Sequence, residues 1–329
     1  MSEREQIARM ATELSDKVFK QFYWSKVGPE NVPWECAKTE HDKTVHPTDV
    51  VFCYDDPYRE VVVYLNFDLK SYSKSSITPG AVRDALVSLG MAVDCAPICE
   101  EWTKKFCRPE EDADIRGVLF VYNHDGQYQR STKELLEHVF DEPVKIPKGV
   151  EVHVIGPTDV QYLYDVAAQI SRYRGDGLLP DAPNCSFFHP DVSHPVRDRA
   201  RIARKEWGLP ITIEMVLAPW QMLKYRNSGG DGLKIFYRGE GATSQEFLYL
   251  LDYMVLYQIL SRFDEIEILM SSDANENFSA YFEQAIQSYK KYTLTSLEEK
   301  KAKIKLSVMD RTTPRYFTTQ LGMGERSYD

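Results

Sequence analysis

Val61-Val62-Val63-Tyr64-Leu65-Asn66-Phe67-Asp68-Leu69-Lys70 is the stretch from which the fold is read. Side chains on a strand alternate faces. Val61, Val63, Leu65, Phe67 and Leu69 therefore make one apolar side, and Val62, Tyr64, Asn66, Asp68 and Lys70 share the other. The run predicts a strand whose first face is core and whose tip carries a carboxylate and an ammonium pointing the same way. Upstream, Asp49-Val50-Val51-Phe52-Cys53-Tyr54 is a second short apolar run. Asp55-Asp56-Pro57-Tyr58-Arg59-Glu60 separates the two, with Asp and Pro as turn formers. An antiparallel hairpin with Cys53 opposite a residue near Val62 or Tyr64 brings Asp49 opposite Asn66 to Asp68. Two converging carboxylates suit a hard divalent ion such as Mg²⁺. Such an ion polarises a phosphodiester and activates water, while Lys70 orients the nucleophile or stabilises charge on phosphorus.

The surroundings extend this into an α/β order. Ile7, Met10, Leu14, Val18 and Phe22 have helical spacing from Glu5 to Tyr23, ended by Gly28-Pro29. Glu30 to Thr48 reads as loop. Thr78-Pro79 opens a helix over Gly80 to Val93. Ile115 to Tyr122 reads as a buried strand, and Ser131-Thr132-Lys133-Glu134 caps a helix to Phe140. Val150 to Ile155 reads as a strand, and Pro157-Thr158 opens a helix to Arg174. A short mixed sheet flanked by helices fits this order.

At 329 residues the chain accommodates two domains. Pro180, Pro183, Pro190 and Pro195 mark an irregular stretch, so residues 1–175 are assigned to the first domain, 176–205 to a Pro-rich linker and basic segment, and 206–329 to a second α/β domain for assembly or regulation. In that domain, Ile211 to Leu217, Leu233 to Tyr237, Ile266 to Met270 and Ile304 to Met309 read as strands. Thr243 caps a helix to Phe263, and Phe278 to Tyr292 reads as another helix. Aromatic residues on these two helices, Tyr249 and Tyr281 among them, are divided between core and a partner interface. No internal repeat is visible.

A net charge of −10 argues against a protein that coats nucleic acid by bulk electrostatics. Local basic segments at Arg197 to Lys205 and Lys300 to Lys305 remain available for DNA. No stretch reaches the length of a membrane span, and Met1 to Glu5 lacks a signal-peptide layout, which points to the cytoplasm. The six cysteines do not form a disulfide framework. Neither Cys185, His189 and His194 nor Cys95, Cys99 and Cys107 shows two close ligand pairs at zinc-finger spacing, so free buried thiols are expected. Neither a Gly-Lys-Ser/Thr loop nor a Gly-x-Ser-x-Gly elbow is present, which removes an ATP motor and a serine hydrolase.

In element order and in Asp49, Asp68 and Lys70, the first half resembles the PD-(D/E)XK nuclease superfamily. The resemblance implies a small mixed sheet, one or two Mg²⁺ ions with Mn²⁺ as a substitute, and hydrolysis of DNA. It also implies a further acidic residue from the N-terminal region, for which Glu35 is the candidate and Glu13 and Glu30 the rivals. Thr48-Asp49-Val50-Val51-Phe52 with Asp68-Leu69-Lys70-Ser71-Tyr72 is similar to the nuclease subunit of GAPS-type two-gene anti-phage defence systems, which implies an obligate partner protein. Lys74 and Arg83 are placed to hold the substrate backbone. His124 is a possible proton shuttle, and His41 and His46 are possible phosphate contacts. The competing reading is a catalytically inactive module that keeps the fold and binds nucleic acid or a protein.

Overall fold

The computed structural model describes residue 9 and residues 12–190, 206–290 and 303–312. Its chain divides into two compact units, one reaching Tyr164 and the next running from Asp165 to Thr312, with the division inside a helix, Pro157–Gly175. The basic segment Arg197 to Lys205 and His194 lie outside the described residues.

In the first unit the strands are β1 (Ser25–Val27), β2 (Val32–Glu35), β3 (Val45–Thr48), β4 (Val50–Asp55), β5 (Val62–Tyr72), β6 (Ala113–Asn123) and β7 (Val152–Ile155). Helices α1 (Pro79–Cys95), α2 (Glu100–Phe106), α3 (Thr132–Val139) and α4 (Pro157–Gly175) follow in chain order. A five-stranded sheet has the order β1-β4-β5-β6-β7. Its β1–β4 and β4–β5 pairs are antiparallel, and β5–β6 and β6–β7 are parallel. The hairpin register is the expected one, with Cys53 opposite Tyr64 and Val50 opposite Phe67. Thr78 caps α1 by accepting from the Ala81 N–H, and Ser131 and Glu134 form the full capping box of α3.

Two local expectations are corrected. Glu30 to Thr48 is not merely loop, because β2 and β3 form a separate two-stranded ribbon in which Pro33 faces Pro47. Proline is tolerated where a strand has no further partner. Both faces of β5, not one, are core: Val62, Tyr64 and Asn66 are as buried as Val63, Leu65 and Phe67. One side packs Phe19, Phe52 and Phe67 edge to face. On the other, Val51, Cys53, Val62 and Tyr64 cluster with Trp34, Trp102 and the end of α1. Gly117 on β6 permits the close approach of α1, since a Cβ there would meet Leu89 at 2.9 Å. The N-terminal helix, where described, ends in a π-helical turn, Leu14–Phe19, ahead of Tyr23 with φ +62°.

The second unit holds β8 (Cys185–Phe187), β9 (Trp220–Asn227), β10 (Gly230–Tyr237), β11 (Glu265–Met270) and β12 (Ile304–Val308). Its helices are α5 (Ile213–Val216), α6 (Ser244–Leu256), α7 (Ile259–Arg262) and α8 (Phe278–Lys290). Ile211 to Leu217 was expected as a strand. Instead Thr212 caps a single helical turn by accepting from the Met215 N–H, and the strand is Trp220–Asn227. That strand is hidden in the sequence because Gln221 and Lys224 are buried on it, which removes the polar–apolar alternation. The expected helix from Thr243 to Phe263 is broken at Gln258, where φ is +55°.

The sheet order β8-β9-β10-β11-β12 repeats the first unit's pattern of two antiparallel pairs followed by two parallel pairs. Helices occupy the same places, between the third and fourth strands and between the fourth and fifth. The second unit thus duplicates the topology of the first with no repeat visible in the sequence.

Candidate active site

β4 and β5 converge at the C-terminal end of β5. Val50 pairs with Phe67, so Asp49 stands one residue outside the ladder, level with Asp68. Two hydrogen bonds fix Asp49. Its carbonyl accepts from the Asn31 N–H at 2.8 Å, and its Oδ2 accepts from the Leu69 N–H at 2.7 Å. Asp49 is 8% exposed. Its carboxyl faces Asp68, which stands level with it on the neighbouring strand. Lys70 Nζ pairs with Asp68 Oδ1 at 2.7 Å, and both side chains keep part of their surface in solvent.

The charges follow from this packing. Burial first, and the facing Asp68 second, push the Asp49 carboxyl up to about 7, against the Leu69 hydrogen bond and Lys70, which oppose the shift. Burial alone would pull Lys70 down, but Asp68 and Asp49 outweigh it and hold its ammonium above the ordinary lysine value. The tip is therefore a pair of carboxylates that repel each other beside one cation. A divalent ion between them relieves that repulsion, and the all-oxygen donor set is what Mg²⁺ or Mn²⁺ requires. Asn66, on the same face two residues before Asp68, is fully buried, and neither its amide oxygen nor its nitrogen has a hydrogen-bond partner among the described residues. Buried amides are normally satisfied. A hydrated ion beside it would give it a water to bind.

The other sequence candidates are dispersed. Glu35 is exposed on β2 opposite Val45, and its N–H bonds Glu101. It lies three positions beyond Val32, whose partner Thr48 adjoins Asp49, or about 10 Å along the strand. Glu30 pairs with Lys26, and Glu13 with Lys17. Lys74 is exposed just past β5, its N–H held by Asp125 at 2.9 Å. Arg83 donates to the Val139 carbonyl at 3.0 Å and pairs with Glu142 at 2.8 Å, which commits it to the end of α3. His124 contacts Ser71, whose side chain faces away from Lys70 by alternation. His41 and His46 are buried rather than presented to a phosphate. Of the Lys300 to Lys305 segment, Lys305 pairs with buried Glu267 at 2.9 Å.

The duplicated topology locates the equivalent positions in the second unit. Trp220 pairs with Tyr237 as Val50 pairs with Phe67, so Asp49, Asp68 and Lys70 correspond to Pro219, Arg238 and Glu240. No acid pair stands at that tip. Sequence reasoning missed the roles of Leu69 and Asn66, since a backbone donor and an unsatisfied amide leave no mark in residue spacing.

Residues 1–159 match the family model described as the GAPS4 protein PD-(D/E)XK nuclease domain. No curated protein and no solved structure matches the chain.

Proposed function

We propose, from the match of residues 1–159 to the GAPS4 PD-(D/E)XK nuclease domain, that the chain is a Mg²⁺-dependent DNA endonuclease acting in anti-phage defence with a partner protein. The observation that carries this reading is the convergence of Asp49, Asp68 and Lys70, with Asp49 clamped by the Leu69 N–H. Asp49 and Asp68 would hold the ion. When bound, it supplies the Lewis acidity for phosphodiester hydrolysis. Lys70, paired with Asp68 and partly in solvent, would stabilise the negative charge that develops on phosphorus. Lys74, exposed just past β5, would touch a phosphate of the DNA backbone. On α6, Tyr249 and Leu256 expose most of their surface, as an interface for a partner requires.

Purified protein is incubated with linear and circular DNA in Mg²⁺ and then in EDTA. The expected result is cleavage of both forms in Mg²⁺ only, abolished by Asp68→Ala and by Lys70→Ala. Cleavage that persists in EDTA, or that both variants retain, contradicts the proposal.

A further inference from the structure

The β2–β3 ribbon and the last turn of α1 bring four side chains to one point. Cys36 follows β2, His41 ends the short helical turn Thr39–His41, His46 lies on β3, and Cys95 closes α1. Their ligating atoms all lie within 4.8 Å of one another. His41, His46 and Cys95 are buried, and Cys36 is half-buried. Cys36 Sγ is 3.9 Å from Cys95 Sγ, and His41 Nδ1 is 3.4 Å from His46 Nε2 and 3.5 Å from Cys36 Sγ. A tetrahedral zinc ion separates two sulfurs by about 3.8 Å, two nitrogens by about 3.3 Å and a sulfur from a nitrogen by about 3.5 Å, given its usual bond lengths. These three separations match the three kinds of edge in such a tetrahedron, and the remaining ones lie within 4.8 Å.

We propose that Cys36, His41, His46 and Cys95 bind a structural zinc ion. Four protein ligands close the coordination sphere, which is the mark of a structural rather than a catalytic site. Two thiolates and two neutral imidazoles cancel the charge of Zn²⁺, so the filled site is neutral and can be buried. Binding releases the two thiol protons to solvent, and the Cys36 thiol gives up its 3.1 Å hydrogen bond to the Lys38 carbonyl. Outer contacts are in place for His41 and Cys95, while Nδ1 of His46 is buried without a hydrogen-bond partner among the described residues. His41 Nε2 lies 3.0 Å from Asp94, which leaves Nδ1 as the ligand nitrogen. Lys38 holds Asp94 at 2.7 Å, and the Ala37 N–H donates to Cys95 Sγ at 3.0 Å.

The ion would tie the ribbon to α1 and stiffen the chain that enters the carboxylate site. Trp34 packs on the His46 ring at 4.9 Å and donates to Thr48 Oγ1 at 3.0 Å, and Thr48 directly precedes Asp49. Sulfur and imidazole ligands separate this site from the all-oxygen pair at Asp49 and Asp68. The inference does not depend on the nuclease reading.

The test is elemental analysis of the full chain, purified in reducing agent without chelator, together with the visible spectrum after reconstitution with Co²⁺. The expected result is about one zinc per chain and a tetrahedral cobalt spectrum with thiolate charge-transfer bands. Those bands should weaken in Cys36→Ser and in Cys95→Ser, and persist in Cys107→Ser and Asp68→Ala. Wild-type protein that takes up neither metal, or whose cobalt spectrum lacks thiolate bands, overturns the proposal even where the cysteine variants fail to fold. Bands unchanged in both cluster variants overturn it equally.

Discussion

The Leu69 N–H donates to Asp49 Oδ2 at 2.7 Å, so the backbone between Asp68 and Lys70 holds the carboxylate that arrives from the neighbouring strand. The hairpin thereby brings the two acids level, and the Asn31 N–H holds the Asp49 carbonyl from the loop before β2. This clamp is buried, and it orients Asp49 before an ion arrives.

Removing the tip charges should cost activity and little stability. Asp68 and Lys70 are both partly exposed and pair with each other, and such pairs contribute little to folding. Asp68→Ala and Lys70→Ala are each expected to lower the cleavage rate by at least about 10²-fold, the scale seen when one electrostatic group is removed from an active site. Thermal scans should show a near-native Tm for both.

Asp49 makes metal-free stability depend on pH in a particular direction. Its carboxyl ordinarily loses a proton near 3.8, but burial, with Asp68 second, lifts it to about 7 in the folded chain. Between those values the folded state binds more protons than the unfolded state, so stability falls as pH rises through the window. Tm measured in EDTA is expected to drop from about pH 4 to about pH 7 more steeply in the wild type than in Asp49→Asn. Mg²⁺ added above pH 7 should restore the wild type only.

Glu267 sets the opposite trend in the second unit. It is buried against Lys234 at 2.9 Å, Lys305 at 2.9 Å, Ser307 at 2.7 Å and the Tyr173 hydroxyl at 3.2 Å. Burial pushes its carboxyl up, but the hydrogen bonds from Lys305, Ser307 and Lys234 prevail and hold it down to about 2. Its contribution is present above the unfolded value of 4.5 and is lost as pH falls toward 2. Lys234→Met leaves this carboxylate buried with less compensation, and denaturant titration is expected to show a loss of about 3–5 kcal/mol. The double change Lys234→Met with Glu267→Leu should recover much of it.

The second sheet, despite its repeated topology, is expected to be silent in cleavage. Glu240 occupies the position equivalent to Lys70 and is exposed. Glu240→Gln should therefore leave the cleavage rate within roughly twofold of wild type, a difference worth less than 0.5 kcal/mol of barrier by the usual conversion. A large loss would show that the second unit carries chemistry of its own.

The hairpin and its acids were legible because the register follows from two apolar runs and one turn, and because alternation places Asp68 and Lys70 together. Capped helices were equally legible, since Thr78 and Ser131 announce their own hydrogen bonds. What escaped reading has physical causes. β9 carries buried Gln221 and Lys224, and the ribbon around Trp34 is built from segments with two prolines and two histidines that look like loop. Nearness in sequence groups Cys95 with Cys99 and Cys107, whereas the structure sets it beside Cys36, far upstream. Arg83 looked free to meet substrate, but its partner at Val139 is made by a helix end that residue spacing does not disclose. The topological duplication left no trace because its second copy has Pro219, Arg238 and Glu240 where the first has its acids and lysine.

Whether Asp49 and Asp68 hold a divalent ion is read from anomalous diffraction by crystals of the full chain grown with Mn²⁺. The expected result is an anomalous peak between the two carboxylates, lost in Asp68→Ala. Ordered Asp49 and Asp68 side chains at saturating Mn²⁺ with no peak between them would contradict it.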